Sequence, residues 1–388
     1  MSPRTLVIWG AGRIGRGFVA DIFHHPDWEI VFVDIDQALV DALNRQGCYT
    51  IFKMTSQGVS AVPFAGGFSA VHTSNDPALR DLFSRSDLML DIAVHAPKLP
   101  QVADMLAPYF TLRAETGLPM DVMMNVNMTL PDQAFIRLME ERLTGSALAF
   151  FRGHVGVTGI AAMCISPLAT DEQKAQDPLA VQNNGYFEQA IDETRLTCPP
   201  PRLPRLRLCR DVTREETRKL FTLNMVHASA CYMGLRLGLS TSYDAASSPA
   251  MRQMLTCALV EASFGLSRKF GFSDEEMADW RDRVMALLDN PYIRDDLPRL
   301  GADSRRKLGI SDRLVGPARL CMEYGGRPEV LCQAIRAGYE YENDDEGTRF
   351  VRSIVTEKGL PAAVKEISGL TESDPLYDMI LNSELIGE

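Results

Sequence analysis

Short apolar runs alternate with helical stretches through the first half of the chain. Four of these runs have the length of buried strands, and each leads into a turn and then helical spacing: Thr5–Trp9, Glu29–Val33, Leu88–Val94 and Asp121–Val126. Two further apolar runs, Ala147–Phe151 and Ala161–Ile165, are also expected to form strands. Strands that alternate with helices form a parallel sheet covered on both faces, so this half predicts a doubly wound α/β domain.

The pattern changes at the proline-rich stretch Cys198–Pro204. Three consecutive prolines can continue neither a helix nor a central strand. Beyond them the apolar positions recur at helical spacing, and helix-start signals stand at three places: Thr213-x-x-Glu216, Ser248-Pro249 and Ser273-x-x-Glu276. We therefore expect an α/β domain at residues 1–200 and an all-α domain at residues 201–388.

A glycine motif follows the first predicted strand directly. In Gly10-x-Gly12-x-x-Gly15, the first glycine permits a tight turn, the second lets the backbone approach a pyrophosphate, and the third lets helix and strand pack closely. Asp34, at the end of the second strand, can bond the ribose hydroxyls of NAD and would repel the extra phosphate of NADP. The alternative is a glycine turn without a nucleotide. The motif favours an NAD-binding Rossmann domain, whose expected cofactor contacts are Gly10, Gly12, Arg13, Ile14, Gly15, Asp34 and Val94.

Ligands of open α/β sheets bind beyond the carboxyl ends of the strands. Asp34, Val94 and Asn127 all lie at such strand ends. Asn127 is therefore a candidate for the region where the nicotinamide and the reacting carbon meet. The alternative interpretation is an ordinary turn asparagine.

A helical stretch near the middle of the chain carries Lys219, Asn224 and His227. At about 100° per residue, these side chains project near 0°, 140° and 80°, on one side of an α-helix. Apolar surroundings lower the pKa of a lysine, because desolvation disfavours the ammonium, and such a lysine can act as a general base. The alternative is a surface lysine, a helix asparagine and a core histidine.

Together these residues can support hydride transfer from an alcohol. That reaction requires a base for the hydroxyl proton, donors for the developing alkoxide, and a carbon held about 3–3.5 Å from the nicotinamide. Lys219 can be the base, while Asn127 and Asn224 can be the donors. His227 can bond a substrate hydroxyl or orient the lysine.

Five cations lie between residues 299 and 313 of this acidic chain. Arginine forks suit phosphate or carboxylate, so Arg299, Arg306 and Lys307 are candidate substrate contacts. The alternative is a solvated face whose cations pair with neighbouring carboxylates: Asp295, Asp296, Asp303 and Asp312.

The overall composition narrows the partners. The chain has 388 residues, and 51 Asp and Glu against 40 Lys and Arg give a net charge of −11, which argues against nucleic acid. The eight cysteines lack the spacing of a zinc site, so no metal is expected. No apolar run reaches the roughly 18 residues that span a membrane, and no signal peptide is apparent. We expect a cytoplasmic protein, as a monomer or small homo-oligomer, acting on a small molecule.

Four stretches of this chain resemble the polyol-specific long-chain dehydrogenases, and among them the mannitol-1-phosphate 5-dehydrogenases: residues 10–18, 218–227, 290–292 and 306–314. The resemblance implies a Rossmann domain followed by a helical domain. It also implies metal-independent, NAD-dependent interconversion of a hexitol phosphate and its ketose, such as mannitol 1-phosphate and fructose 6-phosphate. By position, Lys219 corresponds to the general base, Asn127 and Asn224 to the oxyanion donors, and His227 to a substrate contact.

Two departures from that family pattern leave the substrate open. Val126 replaces the acidic residue that usually precedes the asparagine matched by Asn127. Ala162 and Met163 stand where the family has an Asp-Arg pair. A non-phosphorylated polyol or a hexuronate therefore remains an alternative substrate, and a β-hydroxyacid-type dehydrogenase an alternative enzyme. A further alternative is a non-catalytic NAD-binding regulatory protein.

Overall fold

The computed structural model describes residues 3–128, 130–185 and 188–387. The chain divides into two compact units, Met1–Glu216 and Thr217–Glu388. This division falls later than the expected boundary at residue 200, because the strand Leu206–Cys209 still pairs with the sheet of the first unit.

Two sheets form the N-terminal unit. Its strands are β1 (Arg4–Trp9), β2 (Trp28–Asp34), β3 (Cys48–Thr55), β4 (Gly58–Ala65), β5 (Phe68–His72), β6 (Leu88–Ile92), β7 (Met120–Met124), β8 (Val155–Ala162), β9 (Val181–Asn183), β10 (Gln189–Asp192) and β11 (Leu206–Cys209). The large sheet has the order β11-β10-β8-β7-β6-β1-β2-β5, and the small sheet has the order β4-β3-β9. In the large sheet all neighbours are parallel except β8 and β10.

The central strand β1 shows why both faces of the large sheet are covered. Its side chains alternate between the faces, as in any strand. Val7 and Trp9 belong to one buried apolar cluster, and Leu6 and Ile8 belong to another. A strand buried on both faces reads as a continuous apolar run, and the predicted doubly wound Rossmann arrangement is confirmed.

The helices of this unit lie between its strands. One of them occupies a segment that the sequence predicted to be a strand. Their bounds are Gly15–Val19, Ala20–Phe23, Gln37–Gln46, Asp76–Phe83, Ala96–Lys98, Leu99–Thr116, Pro131–Arg142, Gly145–His154, Asp171–Gln176 and Glu193–Arg195. The predicted strand Ala147–Phe151 is wrong, because it lies inside the helix Gly145–His154. Its two buried residues are four apart, which is helical spacing, and a short apolar run does not separate the two possibilities. Of the strand expected at Ala161–Ile165, only Ala161 and Ala162 lie in β8, and residues 163–165 follow it without strand structure.

The C-terminal unit is helical, as predicted. Its helices are Leu220–Asn224, Met225–Arg236, Ser242–Ser247, Pro249–Phe270, Asp274–Leu288, Leu297–Gly301, Ser304–Lys307, Val315–Glu323, Glu329–Glu340, Glu346–Lys358, Leu360–Ser368 and Pro375–Leu381. The helix Val212–Lys219 leads into it. Within the described residues, none of the helices of the chain is both long and apolar enough to cross a bilayer.

Two of the three predicted helix starts are confirmed. Ser273 caps its helix through a complete capping box, and Ser248 precedes a helix with proline at its first position. The capping box predicted at Thr213 is wrong. The helix begins at Val212, and the carboxylate of Asp211 accepts the amide of Arg214 at 3.2 Å.

A buried carboxyl group lies in the middle of the large sheet. Asp91, on β6, is completely buried, and one of its oxygens accepts a hydrogen bond from the side-chain amide of Asn125. Its other oxygen has no hydrogen-bond partner among the described residues. Burial raises the pKa of Asp91 to about 8, and the bond from Asn125 opposes this shift. Asp91 is therefore protonated at neutral pH.

We predict that Asp91→Asn becomes more stable relative to the parent protein as the pH rises. The folded-state pKa of Asp91 is raised, so between about pH 4 and pH 8 the unfolded chain is ionised there and the folded chain is not. This difference destabilises the parent by about 1.4 kcal/mol for each pH unit in that window. Urea unfolding at pH 5, 6 and 7 measures it. Asp171→Asn, at a fully exposed side chain, is the control. A stability difference independent of pH would contradict the prediction.

Candidate active site

The predicted glycine turn joins β1 to the next helix. Gly10 has a φ of 110°, and a Cβ there would clash with the carbonyl oxygen of Ala93. A Cβ at Gly15 would clash with the carbonyl oxygen of Gly10, whereas a Cβ at Gly12 would meet no protein atom within 4 Å. Gly10 and Gly15 are therefore required by the fold, and the space beside Gly12 is left open for a ligand.

Asp34 is tied to this turn. One carboxylate oxygen accepts the amide of Ala11 at 2.7 Å, and the other accepts the amide of Asp36 at 3.0 Å. A carboxylate offers about four acceptor positions, so it keeps capacity for ribose hydroxyls. An ideal Cβ on Gly10 would lie 3.2 Å from Val94. The structure thus brings together the glycine turn, Asp34 and Val94, in an arrangement that fits a dinucleotide.

Arg13 and Ile14 begin the helix that follows the turn. The Arg13 guanidinium donates to the carbonyl of Ser166 at 2.7 Å, in the segment beyond β8. Arg13 therefore connects the turn to that segment. Both Arg13 and Ile14 are partly exposed.

That helix contains a π turn at Gly15–Val19, where Ala20 donates its amide to the carbonyl of Gly15. The small sheet supports this turn. The Tyr49 hydroxyl donates to the carbonyl of Arg16 at 2.8 Å, and the Asn183 side chain donates to the carbonyl of Gly17 at 2.6 Å. Sequence reasoning missed Tyr49 and Asn183, since neither belongs to a nucleotide motif.

Asn127 lies beyond the carboxyl end of β7 and is exposed, whereas Val126 before it is buried. Asn125, two residues earlier, is held by Asp91. Asn127 therefore lies at the same sheet edge as the glycine turn and Asp34, because β7, β6, β1 and β2 are parallel neighbours.

In the C-terminal unit, Lys219, Asn224 and His227 are all partly exposed on one continuous helical stretch. The apolar residues among them are mostly buried: Phe221, Leu223, Met225 and Val226. The three polar residues thus form an accessible set on a helix whose other side packs into the unit.

A second π turn, at Leu220–Asn224, changes how these side chains align. An i→i+5 turn holds one residue more than an α-turn, so residues beyond it are set back by about 100°. Asn224 then projects near 40° and His227 near −20° from Lys219, instead of about 140° and 80°. By this spacing Lys219, Asn224 and His227 project within about 60° of one another, closer together than α-helical spacing predicted. We call this set of three side chains the stripe.

His227 is surrounded by charges of both signs. Burial lowers the pKa of His227 well below its ordinary value; the carboxylate of Asp295 opposes this, and the cations of Lys219, Arg313 and Arg299 add to it. His227 is therefore neutral at pH 7, with one ring nitrogen as donor and the other as acceptor. A neutral imidazole can both give and receive a hydrogen bond with an alcohol.

The predicted cation cluster is largely paired with carboxylates. Arg299 pairs with Asp295, and Arg306 lies 2.8 Å from Asp303. Arg299 and Arg306 are both about half exposed, so each keeps a solvent-facing portion. The pairing corresponds to the alternative interpretation of a solvated face.

Lys307 has a different environment from the arginines. It is buried and donates to the backbone carbonyls of Leu300, at 2.8 Å, and Ala302. Burial lowers the pKa of Lys307 to about 7, and the charges of neighbouring arginines add to this. Because its ammonium faces backbone carbonyls inside the unit, we leave Lys307 out of the proposed substrate contacts.

Among the described residues, no group of three or more His, Cys, Asp and Glu side chains is arranged to hold a metal ion. The candidate site residues are amides, a lysine, a neutral histidine and arginines. These groups are suited to proton transfer and hydrogen bonding with a hydroxylated ligand.

Comparison with known proteins assigns both units of the chain to one family. The model of the mannitol dehydrogenase Rossmann domain matches residues 4–205, and that of the mannitol dehydrogenase C-terminal domain matches residues 211–383. Mannitol-1-phosphate 5-dehydrogenase of Bacillus licheniformis is 30% identical over 377 residues, covering 96% of this chain and 98% of that protein. The Bacillus subtilis protein of the same name is 29% identical over 376 residues, covering 96% and 97%.

Two solved structures share the fold over nearly the whole chain. D-sorbitol dehydrogenase in substrate-free form has a TM-score of 0.79 at 14% identity, covering 98% of this chain and 92% of that one. Pseudomonas fluorescens mannitol 2-dehydrogenase, in a ternary complex with NAD and D-mannitol, has a TM-score of 0.77 at 14% identity, covering 98% and 90%.

The two domain matches and the glycine turn with Asp34 define an NAD-dependent polyol oxidoreductase. The chain belongs to the mannitol dehydrogenase family.

Two glycine substitutions are expected to separate folding from cofactor binding. Gly15→Ala should lower the Tm of the cofactor-free protein by several degrees, because its Cβ would overlap the Gly10 carbonyl. Gly12→Ala should leave that Tm unchanged and raise the Kd for NAD about tenfold or more, because its Cβ would occupy the space that a pyrophosphate approaches. Thermal unfolding and calorimetric titration with NAD measure the two effects. Unchanged NAD affinity in Gly12→Ala would contradict this placement of the cofactor.

Proposed function

We propose that this enzyme interconverts a hexitol phosphate and its ketose, namely mannitol 1-phosphate and fructose 6-phosphate, with Lys219 as the general base. The similarity to enzymes named mannitol-1-phosphate 5-dehydrogenase carries the substrate half of the proposal, because it extends over 96% of this chain. The alignment of Lys219, Asn224 and His227 across the π turn supports the proposed role of Lys219 as the general base.

Each residue of the stripe has a proposed task in the oxidation of the alcohol. Lys219 takes the hydroxyl proton, and the amide of Asn224 donates to the developing alkoxide. Asn127 is proposed as a second donor. Neutral His227 bonds the hydroxyl next to the reacting one, or orients Lys219. Bound NAD supplies the acceptor of the hydride.

Arg299 is the proposed contact for the phosphate. Its charge contributes to the lowered pKa of His227, which supports a position near the stripe. Its guanidinium is 57% exposed, so it can receive an anion beside its partner Asp295. Arg306 is a second proposed contact and is 49% exposed.

A non-phosphorylated hexitol is the second candidate substrate. The pairing of Arg299 with Asp295 and of Arg306 with Asp303 favours it, because paired cations attract an added phosphate less strongly. Met163 stands where the family pattern has an arginine, so one possible contact with an anion is missing. Comparison of kcat/KM for mannitol 1-phosphate and mannitol decides between the two substrates.

We predict that Lys219→Met lowers kcat for polyol oxidation on the order of 10²- to 10⁴-fold, because it removes the general base. NAD affinity should stay within about twofold, since the glycine turn and Asp34 are untouched. Stopped-flow kinetics and calorimetry measure the two quantities. Lys269→Met, at an exposed position on the helix Pro249–Phe270, is the control and should retain full activity. A Lys219→Met variant with normal kcat would exclude this residue as the base.

A separate prediction tests the phosphate contact. Arg299→Gln should raise KM for mannitol 1-phosphate about tenfold or more and leave KM for NAD unchanged, because it removes one charge-assisted bond to the anion. Initial-rate kinetics measure both constants. Arg305→Gln is the matched control, since that arginine is exposed and lies over the ring of Phe350 at 3.9 Å. An equal rise for both variants would mean that general surface charge, not Arg299, attracts the substrate.

A further inference from the structure

We infer that Thr222 and Trp280 are positioning residues for the proposed catalytic stripe, and that they act by holding the π turn at Leu220–Asn224. This inference rests on the proposed function of Lys219. It concerns two residues to which the proposed function assigns no part in the chemistry.

A relay of hydrogen bonds connects Trp280 to the backbone of the catalytic helix. The indole N–H of Trp280 donates to the hydroxyl of Thr222 at 2.8 Å, and that hydroxyl donates to the carbonyl of Arg218 at 2.6 Å. Because an indole nitrogen can only donate, the direction of both bonds is fixed. Thr222 is completely buried and Trp280 is nearly so. Buried chains of hydrogen bonds strengthen one another and hold one geometry.

The acceptor of this relay lies where the helix changes its hydrogen bonding. Arg218 stands just before the π turn, and its guanidinium lies over the Trp280 ring at 3.9 Å. The carbonyl of Arg218 thus has a side-chain donor two residues before Leu220, where the π turn begins. A threonine hydroxyl bonded four residues back is common in helices, but here it also accepts the indole from another helix. The relay therefore fixes the turn from outside the catalytic helix.

The first π turn of the chain is supported in the same way. At Gly15–Val19, side chains from the small sheet donate to the carbonyls of Arg16 and Gly17. In the first helix the donors come from the small sheet. In the second, Thr222 of the turn itself donates to a backbone carbonyl, and Trp280 of another helix donates to Thr222.

The position of the turn makes the relay relevant to catalysis. Lys219 precedes the turn, while Asn224 ends it and His227 follows it. Return of this segment to α-helical bonding would rotate Asn224 and His227 by about 100° relative to Lys219. The three side chains would then spread over about 140° of the helix instead of about 60°.

The kinetics of variants that lose the hydrogen bonds of the relay test the inference. Thr222→Val keeps the shape and removes both bonds, and Trp280→Phe keeps a ring and removes the N–H. Each should lower kcat on the order of 10- to 100-fold, as a misplacement of about 1 Å does, while the Kd for NAD stays within twofold. Thr222→Ser keeps the hydroxyl and should retain kcat within about threefold. Thr256→Val is the matched control, because Thr256 makes the same bond to Arg252 at 2.8 Å on a regular, exposed helix surface.

The Lys219→Met background separates positioning from general destabilisation. If Thr222 acts through the stripe, Thr222→Val should cause little further loss of kcat once Lys219 is gone, since residues acting as a unit are not additive. An equal loss in both backgrounds, or a Thr222→Val variant with parental kcat, would overturn the inference. Normal kcat in Lys219→Met alone would instead overturn the proposed function. Should Thr222→Val fail to fold, Trp280→Phe answers the same question.

Discussion

The spacing of backbone hydrogen bonds along two helices determines where the key side chains of each unit lie. One helix follows the glycine turn, and the other carries Lys219, Asn224 and His227. Each departs from α-helical bonding over five residues, at Gly15–Val19 and Leu220–Asn224. A π turn is a costly interruption of a helix and is frequently found at functional sites. With the extra residue of the π turn counted, positions i, i+5 and i+8 project within about 60° of one another.

The side chains that support these π turns come from elements that belong to no recognised motif. The small sheet of β3, β4 and β9 supplies Tyr49 and Asn183 to the first π turn. The helix Asp274–Leu288 supplies Trp280 to the second. In both units, a neighbouring element therefore supports a helix that carries predicted site residues. Precise geometry in a site depends on such supporting contacts as much as on the residues that touch substrate.

Sequence reasoning succeeded where local rules decide the structure. The glycine turn, Asp34 and the helical character of the second half follow from backbone sterics, strand ends and apolar periodicity. It failed at Ala147–Phe151, because a five-residue apolar run fits a strand and a buried helix equally well. The π turns were missed because i→i+5 bonding depends on donors that are distant in sequence, such as Trp280 and Tyr49. Spacing alone also could not show that Lys307 points to backbone carbonyls inside its unit.

The charged groups around His227 belong to the same unit as the stripe of Lys219, Asn224 and His227. Neutral His227 lies among the carboxylate of Asp295, which pairs with Arg299, and the cations of Lys219 and Arg313. A crystal structure of the enzyme with NAD and mannitol 1-phosphate would measure the alignment of the stripe directly. We expect i→i+5 bonding at Leu220–Asn224, and the lysine, amide and imidazole groups of the stripe in contact with one polyol. Regular α-helical bonding there, or a polyol contacted by only one of the three, would contradict this account of the site.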